Sequence, residues 1–321
     1  MGTAFVFPGQ GSQTVGMGKS LAERYQAARE VFARVDAALG QSLSELMFSG
    51  PESELTLTAN AQPALMAVSL AATRALEAEA GLDVSRDALF VAGHSLGEYS
   101  ALAAAGALTL EDAARLLRIR GEAMQAAVPV GQGAMAAILG LDFSEAAAIA
   151  EDAAKAVGLP GAVCQAANDN GAGQVVISGA KAAVERAMEI AKLKGAKRAV
   201  ALPVSAPFHC ALMRPAAEAM RTALAGVHIS APVVPLVANV LASAIQDPEK
   251  IRTCLVEQIT GAVRWRESVL FMSRQGVDRF VELGAGKVLT GLIKRIVEGA
   301  LIVNVATSAD VAAYVAPAGA R

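Results

Sequence analysis

The chain has 321 residues, 54% hydrophobic and 18% charged, with 28 Lys+Arg against 30 Asp+Glu and a net charge of −2. That length allows one large domain, or a large domain with a smaller one inserted in it, and a hydrophobic fraction rich in helix-favouring alanine supplies a sizeable core. So balanced a charge argues against nucleic acid or an anionic membrane as partner, and three scattered cysteines without a CxxC pair argue against a disulfide framework or a zinc site.

The opening MGTAFVFPGQ has no basic stretch and reaches Pro8-Gly9 after a few apolar residues, so residues 3–7 are expected to be a buried strand, not a signal peptide. Helical periodicity follows near 17–38 and 61–80, then a second apolar strand at 89–93, then a long alanine-rich helical stretch from about Glu98. Apolar runs without alternation, separated by helices, predict a parallel sheet covered on both faces. From about 131 to 202 the pattern changes. Strand 133–141, helix 144–158, strands 164–168 and 174–179, helix 180–194 and strand 197–204 make a βαββαβ order, the ferredoxin-like unit. Beyond it come the loop SAPFHC, a helix to about 225, strands near 234–239 and 278–283, and a Gly-rich turn at 284–286. The tail ADVAAYVAPAGAR is expected to be weakly ordered. The fold class is therefore α/β: a large, α/β-hydrolase-like domain with a mostly parallel sheet (1–130 and 203–321) carrying an inserted ferredoxin-like subdomain (131–202). The longest uncharged stretches, 123–141 and 222–246, are interrupted by polar residues, glycine or proline; no membrane span is expected, and the cytoplasm is the expected compartment.

Gly93-His94-Ser95-Leu96-Gly97 fits G-x-S-x-G between a predicted strand and a predicted helix. A serine raised on so sharp a turn is strained, side chains at either end would collide, and the helix N-terminus behind it points N–H groups at a developing oxyanion. Ser95 is the candidate nucleophile. A serine needs a base, and the chain has three histidines. His94 should leave the elbow in another direction, and His228 reads as a surface or satisfied histidine. His209, in the Pro-fixed loop Ser205–Cys210, is the candidate base, with a satisfied structural histidine as the alternative on local grounds. The glycine-rich loop Phe7–Gln13 invites a nucleotide reading that fails, because Thr14 stands where G-x-G-x-x-G needs glycine and Gln13 where a phosphate loop does. It is either a plain turn or an oxyanion contributor. No metal site or cofactor is expected.

FPGQGSQ, QPAL (62–65), GHSLGE, LLRIRGEAM, SAPFHC and VELGAGKVLTGL, in that order over residues 7–292, resemble the bacterial malonyl-CoA:acyl-carrier-protein transacylase family, to which polyketide and fatty-acid synthase acyltransferase domains are related. The resemblance implies malonyl-CoA and acyl carrier protein as partners and a malonyl group carried on Ser95 to supply malonyl-carrier for fatty-acid synthesis. It implies that His209 acts as base, oriented by the backbone carbonyl of Gln258, with the N–H groups of Gln10 and Leu96 as oxyanion hole. It also implies that Arg120 binds the malonyl carboxylate, that Met124 and Phe208 line the acyl pocket, and that Gln62 and Asn170 are polar residues near the site. The setting of Arg120 agrees: its helical neighbours Leu116, Leu117, Ala123 and Met124 form an apolar stripe without an acid, whereas Arg118 has Glu122 four residues on and reads as a solvated cation. Phe208 stands where many bacterial members carry serine, and Asn170-Gly-Ala-Gly173 departs from the usual Asn-Ser-Pro-Gly. The run Lys192, Lys194, Lys197 and Arg198 is a candidate surface for an acidic carrier.

Two other readings compete. A serine hydrolase or thioesterase would place an acid such as Asp142 or Asp169 on the histidine, between Ser95 and His209 in sequence. A polyketide-pathway acyltransferase would share every motif. A carrier scaffold without activity is disfavoured by the presence of both Ser95 and His209.

Overall fold

A computed structural model of the chain describes residues 2–204 and 206–316. Six strands form the larger sheet: β1 (Gly2–Phe7), β2 (Phe90–Gly93), β7 (Leu236–Ala238), β8 (Ser243–Ile245), β9 (Val277–Leu283) and β10 (Leu301–Val305). Their order is β10-β9-β1-β2-β7-β8, parallel except for the edge pair β7–β8. β1 does not alternate because both its faces are covered. Phe5 and Phe7 pack with Leu65 and Val68 of the Thr58–Ala80 helix, while Ala4 and Val6 pack with Trp265 and Phe280 on the other side.

The remaining strands, β3 (Gly133–Leu139), β4 (Cys164–Asp169), β5 (Gln174–Ala180) and β6 (Arg198–Ala201), form a separate antiparallel sheet in the order β4-β5-β3-β6. Helices Phe143–Ala156 and Lys181–Leu193 join them in the expected βαββαβ sequence, around a core of its own that includes Ile138, Ile149, Ile177 and Val184.

Two expectations are corrected, and two strands are added. The alanine-rich stretch from Glu98 is two helices, Gly97–Ala104 and Leu110–Ala126, broken at Gly106, whose φ of 73° ends the first; Thr109 caps the second by accepting from the Asp112 N–H. The tail expected to be weakly ordered carries the helix Ser308–Val315, closed by a Thr307/Asp310 capping box and anchored by buried Val311; residues 317–321 lie outside the described residues. β8 and β10, too short or too half-buried to stand out as apolar runs, complete the sheet edges. Among the described residues no helix is long and apolar enough to cross a membrane, and no group of His, Cys, Asp and Glu is placed to hold a metal.

Candidate active site

The elbow forms where β2 meets the Gly97–Ala104 helix, and its glycines are sterically required. A Cβ on Gly93 would lie 1.9 Å from the Gly97 carbonyl carbon, and one on Gly97 would lie 2.3 Å from Phe7 O. Between them Ser95 holds φ at 53°, a left-handed conformation that serine adopts only under constraint. That constraint comes from Asn239, just beyond β7: its Oδ1 accepts from Ser95 N–H at 2.8 Å and its Nδ2 donates to Gly93 O at 2.7 Å. The loop after β1 runs alongside, so close that a Cβ on Gly9 would sit 2.7 Å from His94 O. Gln10 is thereby placed beside the elbow, and Leu96 at the start of the helix.

His209 is the second non-glycine residue of the site at positive φ, 58°. Its Nε2 lies 2.8 Å from Ser95 Oγ and its Nδ1 2.8 Å from the backbone carbonyl oxygen of Gln258. A carbonyl only accepts, so Nδ1 carries the proton and donates, leaving Nε2 to accept from the serine hydroxyl. No acid is needed to fix this tautomer. Asp142 caps the Phe143–Ala156 helix and Asp169 pairs with Arg266 at 2.8 Å, so the two acids of the hydrolase reading are committed elsewhere. Burial, and then the Arg120 charge, push the His209 pKa down to about 3, so the imidazole is neutral at neutral pH and its Nε2 is free to accept a proton.

Arg120 lies on the Leu110–Ala126 helix and is 1% exposed. The apolar stripe drives that face inward, and Gly121 lets it approach closely: a Cβ there would meet Thr58 O and Ala59 Cα at 2.6 Å. The guanidinium donates to Gln62 Oε1 at 2.8 Å, to Gln258 Oε1 at 2.8 Å and to Ser95 Oγ at 3.0 Å. Its Nε is buried without a hydrogen-bond partner. A buried cation held by neutral acceptors, with a donor to spare, can receive an anion. Met124 is also buried, its Sδ 3.7 Å from Gln62 Nε2, and Phe208 is buried next to His209. Arg118, two residues from Arg120, points outward; its guanidinium goes to Asn60 and Gln41, where the sequence had paired it with Glu122.

Two sequence candidates stand apart from this cluster. Asn170 does not meet Ser95 or Arg120; its Oδ1 lies 3.0 Å from His94 Nε2, tying the β4–β5 turn to the far side of the elbow. His228 is exposed beside Ser230. Besides Asn239, the residue that went unnoticed in sequence is Glu98, the last letter of GHSLGE. Buried at 1% exposure, it accepts from Asn239 N–H and Gln258 Nε2. Burial pushes its carboxyl up to about 8, against the pull of those donors and of Arg120. Although that value favours the neutral acid at neutral pH, both oxygens face donors and leave an acid proton no acceptor, so the hydrogen bonds here are those of the carboxylate.

Comparison with known proteins bears on the chemistry. Residues 4–314 match the family model described as an acyl transferase domain. Over 295 residues the chain is 50% identical to the malonyl CoA-acyl carrier protein transacylase of Escherichia coli K12, covering 92% of this chain and 93% of that one. The crystal structure of the acyl-carrier-protein-S-malonyltransferase from Bartonella henselae superposes with a TM-score of 0.94 at 57% identity, covering 98% of each chain. A type II polyketide acyl carrier protein in complex with its malonyl-transacylase supplies another match, with a TM-score of 0.92 at 43% identity, covering 98% of this chain and 99% of that one.

Proposed function

The chain belongs to the acyl transferase family of the malonyl-CoA:acyl carrier protein transacylases, and from that premise we propose that it moves malonyl groups from coenzyme A to acyl carrier protein through Ser95. The chemistry is an acyl exchange in two halves. His209 Nε2 takes the proton of the Ser95 hydroxyl as Oγ attacks the thioester carbonyl. The N–H groups of Gln10 and Leu96 hold the oxyanion. When the tetrahedral intermediate collapses, the C–S bond breaks, and the sulfur leaves as coenzyme A thiol with the proton from His209. The malonyl-serine ester is then attacked by the phosphopantetheine thiol of the carrier, whose proton passes to His209 and on to Ser95. Gln258 keeps the imidazole in the tautomer that both halves require.

Arg120 reads the substrate. A malonyl carboxylate accepts from its planar fork, whereas an acetyl group leaves the buried cation without an anion. Met124 and Phe208 line the acyl pocket, and Gln62 steadies the guanidinium. Asn170 acts at one remove, through His94. Segment 131–202 serves as an inserted subdomain on the catalytic domain formed by 1–130 and 203–321. The role in fatty-acid synthesis follows from the same reading, as does work in the cytoplasm.

One observation carries the proposal. Ser95 Oγ sits at hydrogen-bond distance from both a neutral, carbonyl-oriented histidine and a buried arginine. Intact-mass spectrometry tests it: malonyl-CoA should add one malonyl mass to the wild type and none to Ser95→Ala. An adduct that persists in the alanine variant would move the nucleophile elsewhere.

A further inference from the structure

Gln258 touches every part of the site. Its main-chain carbonyl orients His209, its Oε1 accepts from Arg120, and its Nε2 donates to Ser95 O at 2.9 Å and to Glu98 Oε2. A glutamine amide can turn end for end with almost no change of shape, so its direction must be set by its neighbours. Arg120 offers only donors and requires the oxygen. On the opposite side the Ser95 main-chain carbonyl and Glu98 both offer acceptors and require the nitrogen. Glu98 is itself held, because its other oxygen accepts from the Asn239 backbone N–H.

We propose that Glu98 is a positioning residue for Arg120: its carboxylate, braced by Asn239, fixes the Gln258 amide so that Oε1 faces the guanidinium that reads the malonyl carboxylate. The inference rests on the reading of Arg120 given above. It makes the final glutamate of GHSLGE part of substrate discrimination, acting through another side chain, without contact with substrate.

Glu98→Gln isolates this role because it barely changes volume. The Asn239 N–H demands the new amide's oxygen, which turns its NH₂ towards Gln258 Nε2 and sets donor against donor. Turning over would set Oε1 against the Ser95 carbonyl, so the Gln258 amide relieves the clash by shifting away from residue 98, which loosens Oε1 from Arg120. The bond from His209 to the Gln258 main-chain carbonyl does not depend on that shift. The loss therefore falls on reading malonyl and spares the base.

The test is the rate of Ser95 acylation by malonyl-CoA and by acetyl-CoA, in wild type and Glu98→Gln, with the melting temperature of each. The malonyl-to-acetyl ratio should fall by about tenfold or more, mainly through a higher KM for malonyl-CoA, while acetyl acylation stays within about threefold of wild type. An unchanged ratio, or an equal loss with both thioesters, would overturn the inference, the second outcome marking a merely structural role. If Glu98→Gln does not fold, Gln258→Glu keeps the main-chain carbonyl and replaces the directional amide. A ratio at the wild-type value in that variant would sink the relay. Failure of the wild type itself to take up malonyl would overturn the proposed function, and this inference with it.

Discussion

The two sheets divide the labour unequally. The larger, parallel sheet delivers its chemistry at strand ends, with the elbow after β2, the Gln10 loop after β1 and Asn239 after β7. At the C-terminal ends of parallel strands the chain must turn back into helices, so backbone N–H groups, tight glycines and strained residues collect there. Ser95, at positive φ, sits at one of these ends, and His209, also at positive φ, meets it from the loop after β6. The smaller sheet is antiparallel and closes around its own core, and it meets the site from outside: Asn168 and Asn170 lie against His94, and Gln165 Oε1 accepts from the Ala211 N–H just past His209. The antiparallel sheet borders the site, and the ends of the parallel strands build it.

If the division is real, damage should cost most at the strand ends and least on the inserted sheet. His209→Ala should lower malonyl transfer by about 10²–10⁴-fold, while His94→Ala and His228→Ala fall well short of that loss. Steady-state rates on the three variants would expose a wrong base. Arg120→Ala should remove about 2–5 kcal/mol of malonyl discrimination and relax selectivity towards acetyl-CoA. Competition between the two thioesters measures it directly, and a ratio at the wild-type value would reduce Arg120 to a structural cation. A gentler probe is pH. The folded pKa of His209 lies near 3 and its ordinary value is 6.5, so neutral His209 persists in the folded protein as pH falls through 6.5. Between those values the unfolded chain binds the extra proton, so stability declines as pH falls, while single-turnover acylation shows no break near 6.5. An inflection there would mean that the imidazole is less shielded than its burial implies. The smallest effect belongs to the inserted unit. Charge reversal at exposed Lys194 and Lys197 should raise the KM for carrier protein by about threefold, more at low salt than at high, and leave that for malonyl-CoA alone. Equal responses from both substrates would remove the patch from carrier docking.

The elbow was legible because its letters are steric requirements: at Gly93 and Gly97 no side chain fits, and the motif states this without coordinates. The βαββαβ unit was legible because its strands follow one another in sequence and its periodicity switches cleanly. What escaped was relational. Arg120 and Arg118 are two letters apart on one helix; the apolar stripe separated their faces in sequence, but their partners, Gln62, Gln258 and Ser95 on one side and Asn60 and Gln41 on the other, could be seen only in the fold. Gln258 entered through its backbone carbonyl, while its side chain and Glu98, 160 residues away in sequence, could be joined only by the fold. The C-terminal helix is a different case. Its signal, Thr307 three residues before Asp310, was present and was outweighed by the small, weakly hydrophobic residues that follow.

The placement of β1 at the centre of the larger sheet has a consequence for how the chain is made. One neighbour, β2, emerges from the ribosome within the first hundred residues, but the other, β9, spans Val277–Leu283. Until then one edge of β1 has no strand to pair with, and an unpaired apolar edge recruits whatever strand is nearest. The βαββαβ unit is complete by Ala201, so it can close as a cooperative piece while the sheet that bears Ser95 still waits. Its pairings are closer in sequence than that of β1 with β9, so the larger sheet is expected to close later during synthesis.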